Sequence, residues 1–503
     1  MLFSTNCIIL CLIIIAIFKI IAYYNDNRTY YKKASTLPGP KTFPILGNVN
    51  LFLSQRIGNM ISVMGQLSYS YPSICRLWLG NKLIVNIYDP ELLKIFLYES
   101  NALEKSRIYK VFEPLLGKSL FTASVPSWHA HRKIILPAFS TKRLHQYIEI
   151  INKNLVNFMD LLSSKENCEE FDITKIYKIN LLRSVLEIFM DNQLNMCDDE
   201  ITKFAELTSR SINLMKKRIY NIFLLPDFLF NLTQLSRETY TNAASVKDIL
   251  NTIIQRRRTF LKTTDDKDEN CNKTLLDTLI EQCDHTNAIT DEEVLQEITT
   301  IIFGSIDTTI ATFSFLILVL VTHPEIQTRV HEELYRIFGH TDPNDYPAND
   351  SDLIKMEYLS RVIKETLRYF PTVPYFLRNV TNDLRIKKYT IPKGTDVFIS
   401  IAQLHKNKKF WPKPKNFDPD RFLPNEIAKR PSCCYLPFSM GSRSCIGFRF
   451  AEMLLKIVIS SILRKYVLSC DKTIPLQHVK LDYRIFAHQR EPIKIKIKKI
   501  ETN

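Results

Sequence analysis

From Thr290 to Thr322 the chain reads TDEEVLQEITTIIFGSIDTTIATFSFLILVLVT, and this stretch limits the possible folds more than any other. Thr290 and Glu293 have capping-box spacing, with Asp291 and Glu292 in the favoured first turn. Nothing breaks the helical pattern before the His323–Pro324 step. Such a helix is long for a globular protein. Its second half is apolar all round and needs apolar partners on every side. A large body of other helices would supply them, and 503 residues are enough to build one. A membrane span is the alternative. Asp307 and its neighbouring hydroxyls count against it, because an acid at the bilayer centre is costly.

The rest of the chain agrees with a mainly α fold carrying small β-sheets. Helical stretches flank Pro226, Pro324 and Pro371, and residues 83–88, 384–389 and 493–498 read as strands, the last as a half-buried edge strand of period two. Residues 2–24 are nearly continuously apolar and long enough to cross a bilayer. Lys19, Arg28, Lys32 and Lys33 lie at or after the end of that run, and no Lys or Arg precedes it. The positive-inside rule then places the N-terminus in the lumen and the body in the cytosol. A cleaved signal is the weaker reading, since the run has no basic leader and no small-residue cleavage site. We therefore expect an anchor over 1–24, a basic and proline-rich linker over 25–48 and a folded body over 49–503.

Eleven cysteines are scattered with no C-x-x-C pair, which gives no support to a disulfide framework, a zinc finger or a c-type haem site. Free thiols suit a reducing compartment. The formal charge is +15, but there is no basic arm and no aromatic-basic pattern, so nucleic acid is not an expected partner. Anionic lipid or an acidic protein surface suits this charge better.

One cysteine differs from the others. Phe438, Gly441, Arg443, Cys445 and Gly447 stand at fixed spacing ahead of a renewed helical pattern. A thiolate binds iron only while deprotonated, and Arg443 with a following helix N-terminus favours that state. Glycines let backbone approach a flat cofactor. A buried structural cysteine is the plainer alternative. The pattern F-x-x-G-x-R-x-C-x-G resembles the haem-binding signature of the cytochrome P450 family at every fixed position. The resemblance implies a cytochrome P450 fold preceded by an N-terminal transmembrane helix, with Cys445 as sole protein ligand to haem b.

Four further motifs resemble the family in chain order. Glu365 and Arg368 share a helical face; alone they would be a surface ion pair, but they match E-x-x-R, which in the family joins an arginine here represented by Arg421. Asp420 stands where glutamate is common. Trp128 and Arg132 match a W-x-x-x-R pair that contacts a haem propionate, and Arg378 and Arg443 match further propionate-binding positions. Residues 304–309, GSIDTT, resemble the oxygen-activation motif, with Asp307 and Thr308 as its acid and alcohol. Ser305 replaces the usual second glycine, which could crowd or wet the oxygen groove. Gly304 replaces a glutamate that forms an ester to haem in one subgroup, so that link is expected to be absent. The C-terminal half otherwise resembles that subgroup, which includes fatty-acid hydroxylases and many insect enzymes.

These matches imply a membrane-bound haem-thiolate monooxygenase of the endoplasmic reticulum, single-pass, with a cytosolic catalytic domain. Electrons would come from NADPH-cytochrome P450 reductase, with cytochrome b5 as a further donor, meeting basic residues such as Lys142, Arg449 and Lys456. The family's substrate regions would be 112–126, 208–230, 301–309, 372–377 and the surroundings of Phe486. Their apolar character implies a lipophilic substrate, with fatty acids, terpenoid hormones and xenobiotics all fitting. A haem-thiolate isomerase or lyase, and a non-catalytic haem-binding protein, are the alternatives. Retention of Asp307 and Thr308 argues against the first, and Ser305 keeps the second open.

Overall fold

The computed structural model describes residues 25–53, 60–191, 196–263, 273–483 and 485–500, with scattered positions before residue 25. Much of the expected anchor over 2–24 lies outside the described residues. Two compact units are present: Met1–Ser106 with Phe376–Ser400, and Arg107–Tyr375 with Ile401–Asn503.

The smaller unit begins with α1 (Arg28–Ser35), within the stretch read as a linker. Strands β1 (Ile74–Leu79) and β2 (Lys82–Ile87) form an antiparallel hairpin, with Gly80 at φ +61° in its turn. Helix α2 (Pro90–Tyr98) follows, where the Asp89 carboxylate accepts the N–H groups of Glu91 and Leu92 and Pro90 opens the first turn. Strands β3 (Glu104–Lys105), β4 (Tyr375–Asn379) and β7 (Asp396–Ser400) complete a sheet of order β1-β2-β7-β4-β3. The strand read over 384–389 is two strands, β5 (Leu384–Ile386) and β6 (Tyr389–Ile391), paired antiparallel around Lys387 at φ +51°. Hydropathy had merged them because the turn carries no glycine or proline. Gly47 is required sterically: a Cβ there would lie 2.4 Å from the Trp78 carbonyl oxygen.

The larger unit is helical. Its principal helices are α3 (Val125–Ile135), α4 (Thr141–Ser163), α5 (Ile173–Phe189), α6 (Asp198–Ile219), α7 (Gln234–Thr263), α8 (Asp291–Thr322), α9 (Pro324–Phe338), α10 (Glu357–Tyr369) and α11 (Phe448–Lys465). The long helix read over 290–322 is α8, with both halves of its Thr290–Glu293 capping box formed. It packs against α5, α7, α9, α10 and α11. Phe313 and Phe315 are fully buried, the first 4.2 Å from the Tyr177 ring and the second stacked on Phe370 at 4.5 Å. Core neighbours surround its apolar half, the arrangement that all-round hydrophobicity requires. The C-terminal strands are β8 (Tyr466–Ser469), β9 (Leu481–Tyr483), β10 (Ala487–Gln489) and β11 (Lys496–Lys499). β9 pairs with β10 and β11 with β8, while Ile495 bridges back to Phe171. Ile493, Ile495 and Ile497 are buried between exposed or half-buried lysines, giving the period-two edge read from the sequence.

Candidate active site

The loop before α11 folds back on itself. Ser439 and Gly441 take left-handed backbone at φ +61° and +78°. The Cys445 N–H then reaches the Phe438 carbonyl at 2.9 Å, and the Ser444 N–H the Gly441 carbonyl at 3.0 Å. Gly447 caps the helix that follows. The Cys445 side chain is left accessible, yet protein crowds it closely. Burial pushes the thiol up, and the Gly447 N–H and the Arg132 charge only partly offset this. Desolvation therefore decides its ionisation despite the accessible surface. A metal cation bound to this sulfur would favour its deprotonated form.

Sequence proximity pointed to Arg443 as the charge favouring the thiolate. A second charge, Arg132 from α3, bears on Cys445 across the fold. Arg132 donates to the Ser444 carbonyl at 3.1 Å, and among the described residues no carboxylate pairs with it. Arg443 donates to the Ala123 carbonyl at 3.0 Å and lies 4.1 Å from the Trp128 ring centroid. Trp128 is 1% exposed, with Arg132 at 5.8 Å from its ring. An accessible thiol and, beside it, a guanidinium that no described carboxylate neutralises form a donor set that fits a haem with its propionates. Arg378 belongs to the other unit, where it is buried on β4 near the Phe376 ring.

On α8 the motif residues form an accessible strip within a buried helix: Gly304, Ser305, Asp307 and Thr308 are exposed or half-buried. A Cβ at Gly304 would meet nothing within 4 Å. The Thr308 hydroxyl donates to the Gly304 carbonyl and the Ser305 hydroxyl to the Ile301 carbonyl, both at 2.7 Å. Ser305 is thus turned back onto its own helix. Asp307 does not bond to Thr308. Its carboxylate pairs at 2.9 Å with Nε2 of His488, on β10. Two neighbours in sequence point about 100° apart on a helix, so adjacency brings no contact.

Sequence reasoning missed His488 and also His131. His131 Nδ1 lies 2.6 Å from Glu297 and its Nε2 3.4 Å from Glu293, both on α8. The bond to Glu297 holds His131 above the usual histidine range. Glu297 also accepts the Leu120 N–H at 2.8 Å, so it fastens α3 and the segment before it to α8. The available signal was two glutamates four apart on a helix otherwise needing apolar neighbours.

Glu365 and Arg368 are fully buried on α10. Arg368 donates to both Glu365 oxygens at 2.7 and 2.8 Å, and also to the His405 and Pro414 carbonyls at 3.0 Å. Arg421 lies 3.5 Å from Glu365, and the Asp418 N–H donates to Glu365 at 2.9 Å. His405 is kept neutral by burial, pushed down to about 3, and accepts the Leu436 N–H at 2.9 Å. That bond joins the network to the start of the cysteine loop. Asp420 pairs with Arg361 at 2.6 Å and Arg329 at 3.3 Å. Removing one member of a buried pair leaves the other charge uncompensated. Arg368→Ala is expected to destabilise the protein by about 3–5 kcal/mol, read as early loss of the haem absorbance on heating; a change of about 1 kcal/mol or less would make the pair energetically equivalent to a surface one. Lys456, read as a docking charge, is half-buried and donates to the Leu353 carbonyl at 2.9 Å.

A sequence profile described as cytochrome P450 matches residues 37–497. The chain is 31% identical to cytochrome P450 4c21 of Blattella germanica, over 91% of this chain and 93% of the relative. It is 32% identical to cytochrome P450 4c3 of Drosophila melanogaster, over 88% and 86%, and 30% identical to human cytochrome P450 4V2, over 79% and 77%. The crystal structure of the cytochrome P450DA heme domain superimposes with a TM-score of 0.76 at 21% identity, covering 92% of this chain and 98% of that one. The mainly helical fold with small sheets is theirs, and the matches run through every motif described above. The chain belongs to the cytochrome P450 family and is a haem-thiolate monooxygenase.

Proposed function

We propose that this monooxygenase holds its haem through Cys445 alone and hydroxylates a lipophilic molecule, a fatty acid, terpenoid or xenobiotic, at the endoplasmic reticulum membrane. The observation that carries the reading is the accessible Cys445 side chain beside Arg132, a guanidinium that no described carboxylate neutralises. When bound, the haem supplies dioxygen activation and transfer of one oxygen atom to the substrate, with thiolate donation favouring O–O cleavage.

The protein's own residues orient and supply protons. Arg132 and Arg443, braced by Trp128, meet the propionates, and Arg378 matches a further propionate-binding position of the family. Phe438, Gly441 and Gly447 shape the loop that presents the sulfur. Glu365, Arg368 and Arg421 hold that loop from behind through His405. Thr308 and Asp307 handle the proton that dioxygen needs, by way of water. Electrons arrive from NADPH-cytochrome P450 reductase and cytochrome b5. Residues 1–24 anchor the chain once in the membrane, 25–48 link, and 49–503 form the cytosolic catalytic body.

The test is reconstitution with the reductase, NADPH and ¹⁸O₂ against C12 to C18 fatty acids, a sesquiterpenoid and an alkoxycoumarin. One labelled oxygen per product is expected. Rearranged products formed without NADPH would replace this reading with an isomerase. Haem retention gives a further check. Arg132→Ala is expected to speed haem transfer to apomyoglobin about 10-fold, the scale of one charge-assisted hydrogen bond, with the Arg132→Ala, Arg378→Ala double variant faster still; unchanged transfer would remove both from the propionate role.

A further inference from the structure

The C-terminal hairpin carries charges that its place in the fold does not explain. In β9–β10, His488 stands directly opposite Asp482. Directly opposed residues of an antiparallel pair share a face, with Cβ atoms about 4.5–5.5 Å apart. On one side, His488 Nε2 lies 2.9 Å from the Asp307 carboxylate of α8. On the other, Asp482 takes both oxygens to Lys216 Nζ of α6, at 2.7 and 2.9 Å. Four polar side chains, Lys216, Asp482, His488 and Asp307, thus run from α6 through the hairpin to the acid of α8. They grow more sheltered along the way: Lys216 and Asp482 are 31% and 27% exposed, His488 and Asp307 14% and 15%.

The hairpin is pinned at each end of this chain. The Gln489 amide donates to the Ser314 carbonyl of α8 at 2.9 Å, and the Ala487 N–H to the Thr372 carbonyl at 2.8 Å. The Tyr220 hydroxyl, just beyond α6, donates to the Tyr483 carbonyl. The backbone that carries the imidazole is therefore held on both sides, and the imidazole restrains the Asp307 carboxylate it bonds. A free Asp307 would turn among staggered positions; a fixed one presents its other oxygen in one direction.

We propose that His488 is the positioning residue for Asp307, and that Asp482 and Lys216 tie this arrangement to α6, whose C-terminal half belongs to the substrate-side region. The proposal rests on the reading of Asp307 and Thr308 as proton-handling residues, and it assigns the third group on which that step depends. It also couples the two ends: displacement of α6 loosens the hairpin and, with it, the carboxylate.

The test needs no substrate. Reductase-driven NADPH oxidation without substrate reduces O₂ either by two electrons and two protons to H₂O₂, or by four of each to two waters. The second route requires the delivered proton. His488→Leu is expected to raise the peroxide-to-water ratio about fivefold, the scale of one net hydrogen bond, and to match Asp307→Asn. His488→Gln, which keeps a donor near the same position, should restore most of the wild-type ratio. The His488→Leu, Asp307→Asn double variant should be no worse than either single, because the two act as a unit. Lys216→Met should move the ratio in the same direction by a smaller amount. It should also raise hydrogen–deuterium exchange in 481–489, a readout independent of turnover. Should His488→Leu lose haem, Asp482→Asn cuts the same chain one link away and carries the comparison. A wild-type ratio in His488→Leu or Asp482→Asn, a His488→Gln variant as impaired as leucine, or additive effects in the double variant would each overturn the proposal. If Thr308→Ala raises peroxide while His488→Leu does not, the positioning role falls and the proton-handling reading stands. If neither moves, both fall.

Discussion

Cys445→Ala is expected to abolish the red-shifted Soret band of the ferrous carbon monoxide complex and all NADPH-dependent oxygenation. That band reports thiolate ligation, and the nearest cysteines in sequence are not built to replace this one. Cys433 and Cys434 are buried, and burial pushes the Cys434 thiol up to about 11. Cys445 is raised as well, but it alone in its loop is accessible and has Arg132 beside it. A companion Cys445→Ser variant keeps the volume and offers a weak oxygen ligand, so haem retention can be separated from thiolate donation. An alanine variant with the red-shifted band intact would sink the assignment.

The second large effect is expected from Thr308→Ala. Its hydroxyl donates to the Gly304 carbonyl within a continuous α8, so alanine removes an oxygen without breaking the helix, and alanine is the best helix former. Folding, carbon monoxide binding and reduction should survive. Product per NADPH should fall about 10²-fold, the general-acid scale, with the electrons recovered as H₂O₂. Ser305 lies one turn back, and its hydroxyl is bound to the Ile301 carbonyl at 2.7 Å. Rotation of that hydroxyl could offer a substitute path, so the Ser305→Ala, Thr308→Ala double variant is measured alongside. Full coupling in both variants would show that no proton passes by Thr308.

What could be read from the sequence was local. The Thr290–Glu293 box, the length of α8 and its all-round burial follow from residues within one helix, and the structure has all three. The strand read over 83–88, which is β2, and the lysine-alternated edge were likewise local. Partner choice across the chain was not legible. No pattern near Asp307 announces His488, which is 181 residues away. Arg132 acts on the Cys445 thiol from 313 residues away in sequence, brought in by the packing of α3, and no local pattern announces it. The two strands of 384–391 ran together because Lys387 adopts a positive φ that its residue type does not advertise. Burial of the Glu365–Arg368 pair was equally invisible in the i,i+3 spacing, which a surface helix shows just as often.

The pairing of Ile495 with Phe171, and of His488 with Asp307, sets an order for biogenesis. A ribosome releases the chain from its N-terminal end. The long central helix is thus made well before the strand that clasps its acid, and Phe171 waits for a partner 324 residues further along the chain. Contacts this distant in sequence slow folding. During that interval the apolar strip prepared for the centre of the molecule lacks its final cover. A nascent polypeptide stalled before residue 480 would already contain the cysteine loop, but not the hairpin and terminal strand that close over the far side, and would be a natural client for chaperones and quality control.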